Sequence, residues 1–156
     1  MQVIDGSKSR TLANQAFLGN GGLLKVAAQF SHTQLRMPNV ATKRAVIRQI
    51  MVGSDIANGI QLFRLDAALA VFLNNAPSKL ISGAASVSEL RRETNAAQLG
   101  TGNPIAFEYV QASVMAPPLV FAEPLIIRPG EGVVVRSGIV NVDLTANFEF
   151  FEEDNV

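Results

Sequence analysis

Period-two alternation is the clearest pattern in this chain, and it runs longest near the C-terminal end. Val142, Leu144, Ala146, Phe148 and Phe150 fall on one side of an extended backbone, and Asp143, Thr145, Asn147, Glu149 and Phe151 on the other. Successive side chains of a strand point to opposite faces, so the pattern predicts a strand over 140–151 with one buried face. A helix would smear the same residues around its circumference.

Other segments repeat the signal. Residues 45–52 are rich in β-branched side chains and end at Gly53-Ser54-Asp55, which has turn chemistry. Residues 60–65 follow Asn58-Gly59, a tight-turn dipeptide, and Asn74-Asn75-Ala76-Pro77 marks the next break. Three further strands are predicted over 105–112, 119–127 and 132–136, the first after a loop at Gly100-Thr101-Gly102-Asn103-Pro104. Residues 23–30 suit a strand or a short helix equally. Ser86 or Ser88 followed by Glu89, Arg91, Arg92 and Glu93 has the form of a capped short helix. Residues 1–20 hold scattered apolar side chains without a period and are expected to form an extended N-terminal arm, with 21–156 as the folded domain. Many strands with little room for crossover helices predict an all-β fold: a jelly-roll-like antiparallel β-sandwich with that arm and at most one or two short helices.

Composition adds a hint about surroundings. The 156 residues are 48% hydrophobic and only 17% charged, whereas an ordinary soluble domain carries about a quarter charged residues. Part of the surface is therefore expected to be covered. The longest apolar run, 67–73, falls well short of the roughly 18 residues of a membrane span, which favours protein over lipid as the cover. Lys+Arg and Asp+Glu balance at 13 each, so no basic excess points to nucleic acid. Cysteine is absent, which rules out disulfides and thiolate metal sites and fits folding in a reducing cytoplasm. The first residues lack the basic and apolar regions of a secretory signal.

The most distinctive passage is 124–136, Pro-Leu-Ile-Ile-Arg-Pro-Gly-Glu-Gly-Val-Val-Val-Arg, in which Pro129 and Gly130 turn the chain between two apolar strands. Followed by Asn147-Phe148-Glu149-Phe150-Phe151-Glu152-Glu153, it resembles the C-terminal end of small jelly-roll virion structural proteins of tailed bacteriophages. Val3-Ile4-Asp5-Gly6 and Gly21-Gly22-Leu23-Leu24-Lys25-Val26-Ala27-Ala28 resemble the start of such proteins, where an extended segment precedes the sandwich. The resemblance covers about a third of the chain. It implies a trimer-forming capsid cement or decoration protein, or another head or neck component.

Candidate chemistry is sparse. His32 is the only histidine, which excludes a histidine metal cage and leaves a surface or interface residue as its expected role. Glu149, Glu152, Glu153 and Asp154 could in principle supply paired carboxylates, but a cluster of acids at a chain end reads as a solvated tail. A hard-cation site from Asp143, Glu149, Glu152 and Asp154 lacks calcium-loop spacing. Gly19 to Gly22 and Gly100 to Gly102 lack the strand–glycine–helix context of a phosphate cradle and read as turns. Phe63, Phe72, Phe107, Phe121, Phe148 and Phe150 are expected mostly in the core, while Phe151, on the polar side of its strand, points to a covered surface. Arg91 and Arg92 beside Glu89 and Glu93 form a mixed-charge patch suited to a solvated face or to salt bridges between subunits.

The expectation is thus a non-enzymatic structural protein without cofactor or metal, located in a virion after synthesis in the host cytoplasm. Its partners are expected to be further copies of itself as a homotrimer and the major capsid protein, with no nucleic acid and no membrane. Expected interface residues are Val3, Ile4, Leu12, Phe17 and Leu18 in the arm, with Arg91, Arg92 and Phe151. The alternative is a receptor- or carbohydrate-binding module of a tail or neck fibre.

Overall fold

The computed structural model describes residues 10, 11 and 13–156. Among them the elements are ten strands: β1 (Ala16–Leu23), β2 (Phe30–Arg36), β3 (Lys43–Ser54), β4 (Asn58–Arg64), β5 (Val71–Asn75), β6 (Glu89–Asn95), β7 (Thr101–Val110), β8 (Leu119–Ile127), β9 (Gly132–Ser137) and β10 (Leu144–Asp154). They form a four-stranded sheet, β1-β10-β3-β8, and a six-stranded sheet, β5-β6-β2-β9-β4-β7. Every pairing is antiparallel. Setting β5 and β6 aside, β1-β10-β3-β8 facing β2-β9-β4-β7 is the strand order of a double-sheet jelly roll. The β5–β6 hairpin is inserted between β4 and β7 and extends the second sheet beyond β2.

The core lies between the sheets. Val142, Leu144, Ala146, Phe148 and Phe150 are all buried, as their alternation predicts, and the last four share one core cluster with Ile47, Ile50 and Val52 of β3 and Leu35, Ile60, Leu62 and Val135 of the other sheet. Burying such side chains is worth about 1.5–3 kcal/mol each, which is why register is set by this face. The turn at Pro129-Gly130 forms as expected. Gly130 has φ +85°, and the Glu131 N–H donates to the Arg128 carbonyl at 2.9 Å, closing a tight turn that carries the chain from one sheet to the other.

Several local expectations change. Ala16 to Asn20 are not arm but the first part of β1, paired with β10 from Ala16↔Phe151 onward, so the sandwich begins before residue 21. The helix expected around 86–93 is strand β6, held between β2 and β5, with Leu90 in the core. Its serines do not cap a helix. Ser86 Oγ accepts from the Ala76 N–H at 2.9 Å, and Ser88 Oγ donates to Glu152 at 2.6 Å. Residues 24–29 form no element. Asn58-Gly59 opens β4 instead of turning, Asn74 and Asn75 lie within β5, β7 already begins at Thr101, and β10 begins at Leu144 rather than 140.

Candidate interaction surface

Register assigns each side chain of the six-stranded sheet to one face. His32, Gln34, Phe63, Val134 and Arg136 share the face turned away from the core, yet the first four are buried. Two loops cover them. The loop after β4 brings Leu65 and Leu69 onto Phe63 and Val134, and the loop after β6 adds Leu99. Gln34 anchors the first: its Nε2 donates to the Leu65 and Ala67 carbonyls at 2.7 and 2.9 Å, and its Oε1 accepts from the Leu69 N–H at 3.0 Å. His32 anchors the second. Its Nε2 accepts from the Leu99 N–H at 2.9 Å, so the proton sits on Nδ1, which lies 3.3 Å from the Glu93 carbonyl. Burial pushes its pKa below the ordinary histidine value, despite the Glu93 carbonyl. His32 is therefore a satisfied interior group, not the surface residue its polar neighbours in sequence suggested.

The acids near the C-terminus are likewise engaged. Glu149 accepts from Gln49 and pairs with Lys79, Glu153 pairs with Arg44 at 2.6 Å, and only Asp154 is exposed. Glu152 is buried and accepts from the Val87 and Ser88 N–H groups and the Ser88 hydroxyl, tying the loop before β6 to β10. These carboxylates are structural clamps, not a solvated tail. Among the described residues no three His, Cys, Asp or Glu side chains are placed to hold a metal ion.

The residues expected at an interface are scattered. Val3, Ile4 and Leu12 lie outside the described residues. Phe17 is a core residue, stacked on Phe150 with centroids 5.6 Å apart, because β1 is part of the sheet. Leu18, on the opposite face of that strand, is 47% exposed. Phe151 does lie on the outer face and is covered, but from within the chain: the Arg10 guanidinium sits 3.9 Å from its ring centroid. Arg91 pairs with Glu89 at 2.7 Å, donates to the Leu69 carbonyl and lies over Phe72, while Arg92 donates to the Gly22 carbonyl. Both arginines brace their own chain.

The longest open edges lie on one side of the sandwich. On the other side the free edge of β1 is covered: Leu18 N–H donates to the Pro77 carbonyl, Lys79 N–H donates to the Ala16 carbonyl, and β5 is short. The β7 and β8 edges are long, and no described strand pairs with their outer sides. Native edges are usually blunted by charge, above all by lysine, yet residues 101–127 contain no Lys or Arg and only Glu108 and Glu123 as acids. Phe107 is 58% and Tyr109 63% exposed, with Ile105 beside them and Val120 and Ile126 on β8. Register with Gly59 and Gln61 puts Tyr109 and Phe107 on the outer face, the Phe107 ring lying across Gly59. Phe107 is thus not core, nor is Phe72, which is 48% exposed on β5. Phenylalanine count alone could not separate these from core residues; the lysine-free run at 101–127 is the signal that was present.

No family model, no curated protein and no solved structure matches this chain. The role of the surface rests on its own chemistry.

Proposed function

We propose that the protein is a non-enzymatic structural subunit of a bacteriophage virion, a cement or decoration protein that assembles as a homotrimer and binds the capsid shell. The observation that carries this reading is the apolar side formed by β7 and β8, which has no lysine or arginine, in a chain whose β1 edge is closed by its own segments. Exposed apolar patches of that kind mark protein contacts. The jelly-roll strand order and the resemblance at the two ends of the sequence support a virion component. The polar groups that could do chemistry are spent on holding loops, as His32 and Glu152 illustrate. On a symmetric shell, many modest contacts add through effective concentration.

Light scattering of the purified protein is expected to give three times the 16.7 kDa chain mass, and the trimer is expected to co-sediment with isolated phage heads. A monomer with no affinity for heads would overturn the proposal. A second reading has one specific observation in its favour: Phe107 and Tyr109 lie two residues apart on one outer face, the arrangement of a stacking platform for sugars. A glycan array positive for the wild type and lost in Tyr109→Ala would favour that receptor-binding role.

A further inference from the structure

Two side chains of β2 hold the covers over the outer face of the six-stranded sheet, and they differ in one chemical respect. Gln34, which fastens residues 65–69, does not titrate. His32, which fastens residues 96–100 through Leu99, does. Its bond works one way round only. Nε2 accepts from the Leu99 N–H, while Nδ1, facing the Glu93 carbonyl, carries the ring's proton. A second proton has to go on Nε2, where it points at another donor. Turning the ring over brings no relief, because both nitrogens of a charged imidazole are donors.

The charged groups beside His32 come from the strands paired with β2. Glu93 of β6 and Arg136 of β9 lie directly opposite it and share its face. The Glu93 carboxylate accepts from the Ala70 N–H and Asn95 Nδ2, and the Arg136 guanidinium donates to Gln61 and the Leu99 carbonyl. Further along that face Arg91 is bound to Glu89, and in the other loop Asp66 is bound to Arg64. Residues 96–100 carry no charge. Burial is the largest influence on the ring and disfavours its charged form; Glu93 favours that form and Arg136 opposes it.

β2 is fixed between β6 and β9, so His32 cannot withdraw, but the loop over it can. Apart from His32, that loop is held by Arg136 on the Leu99 carbonyl at 3.2 Å and by Gln98 Nε2 on the Ser137 carbonyl at 3.3 Å. It runs out into Gly100 and Gly102, both at positive φ, where the backbone turns at little cost. We propose that His32 and residues 96–100 form an acid-released latch: a proton on Nε2 breaks the bond to Leu99 and frees the loop from the apolar cluster of Phe63, Leu65, Leu69 and Val134, while the cover held by Gln34 stays closed. The latch works within one chain and does not depend on the assembly proposed above.

Hydrogen exchange at the Leu99 amide tests it, since that N–H is the latch bond. An open loop lets the ring bind its proton near pH 6.5 and a closed loop does not. The open population relative to the closed one is therefore expected to rise about thirtyfold from about pH 7.5 to about pH 5, seen as an equal loss of Leu99 protection after correction for intrinsic exchange. The slowest amides of β3 and β10 are expected to stay far better protected throughout. In His32→Gln, Leu99 protection is expected to be independent of pH. Should that variant not fold, the wild type decides alone: His32 is the only histidine, so its ring nitrogen resonances are unambiguous, and the loss at Leu99 must follow their titration. An equal loss of protection in His32→Gln would overturn the proposal. So would a protonated ring with Leu99 still protected, or a Leu99 amide that exchanges only in step with β3 and β10.

Discussion

At the scale of single residues, the polar side chains that sequence inspection singles out as chemistry serve to fasten loops. His32 is the clearest case. Its Nε2 must stay unprotonated to accept from the Leu99 N–H, and burial holds its pKa below the ordinary value. The unfolded chain takes up a proton near pH 6.5, while the folded chain resists it, so the stability this group confers is complete above about pH 6.5 and is lost as pH falls toward the native value. Melting temperature is accordingly expected to fall between pH 7.5 and pH 5.5, roughly the range around the free histidine value. His32→Gln, which cannot titrate, is expected to flatten that slope. An unchanged slope in the variant would assign the effect to other groups. Nothing in Ser31-His32-Thr33 signals burial, because the cover comes from residues 65–69 and 99, far along the chain.

At the scale of elements, legibility follows locality. The strand 119–127 and its turn into β9 could be read because alternation, proline and glycine are local signals. Gly130 at φ +85° is the position where only glycine is comfortable. Gly130→Ala is expected to cost about 1–2 kcal/mol, seen as a lower urea midpoint with an unchanged slope, since a Cβ in the left-handed region meets the next carbonyl. The added Cβ would also crowd Asn39, 3.1 Å away. The segment around β6 has the local form of a helix for an equally clear reason. Ser86 or Ser88 ahead of Glu89, Arg91, Arg92 and Glu93 satisfies the local rules of a capped helix, and only pairing with β2 and β5 overrides them. β1 was hidden because its glycines and Asn20 break the alternation, while its partner β10 supplies the register from across the chain.

At the scale of the whole molecule, the two sides of the sandwich are unequal. One edge is covered by Pro77 and Lys79, and the other presents β7 and β8 with two acids and no base over residues 101–127. A surface completed by association ties stability to concentration. Melting temperature is therefore expected to rise with protein concentration in the wild type and not in Phe107→Glu, because binding that favours only the folded state stabilises it by mass action. A melting temperature independent of concentration would argue that the edge is left open in solution.

The sequence by itself determined the class of fold, most of the strands and the large faces they bury. Alternation, β-branched runs and the Pro129-Gly130 turn are properties of neighbouring residues. It also carried the shortage of charge that called for a cover. Only the tertiary structure decided which residues do the covering and which are left bare. His32, Gln34 and Glu152 are interior because distant loops close over them. Phe72, Phe107 and Tyr109 are exposed because their strands fall at sheet edges. Edge or centre is a property of strand order, and strand order is set by long-range pairing that no local pattern encodes.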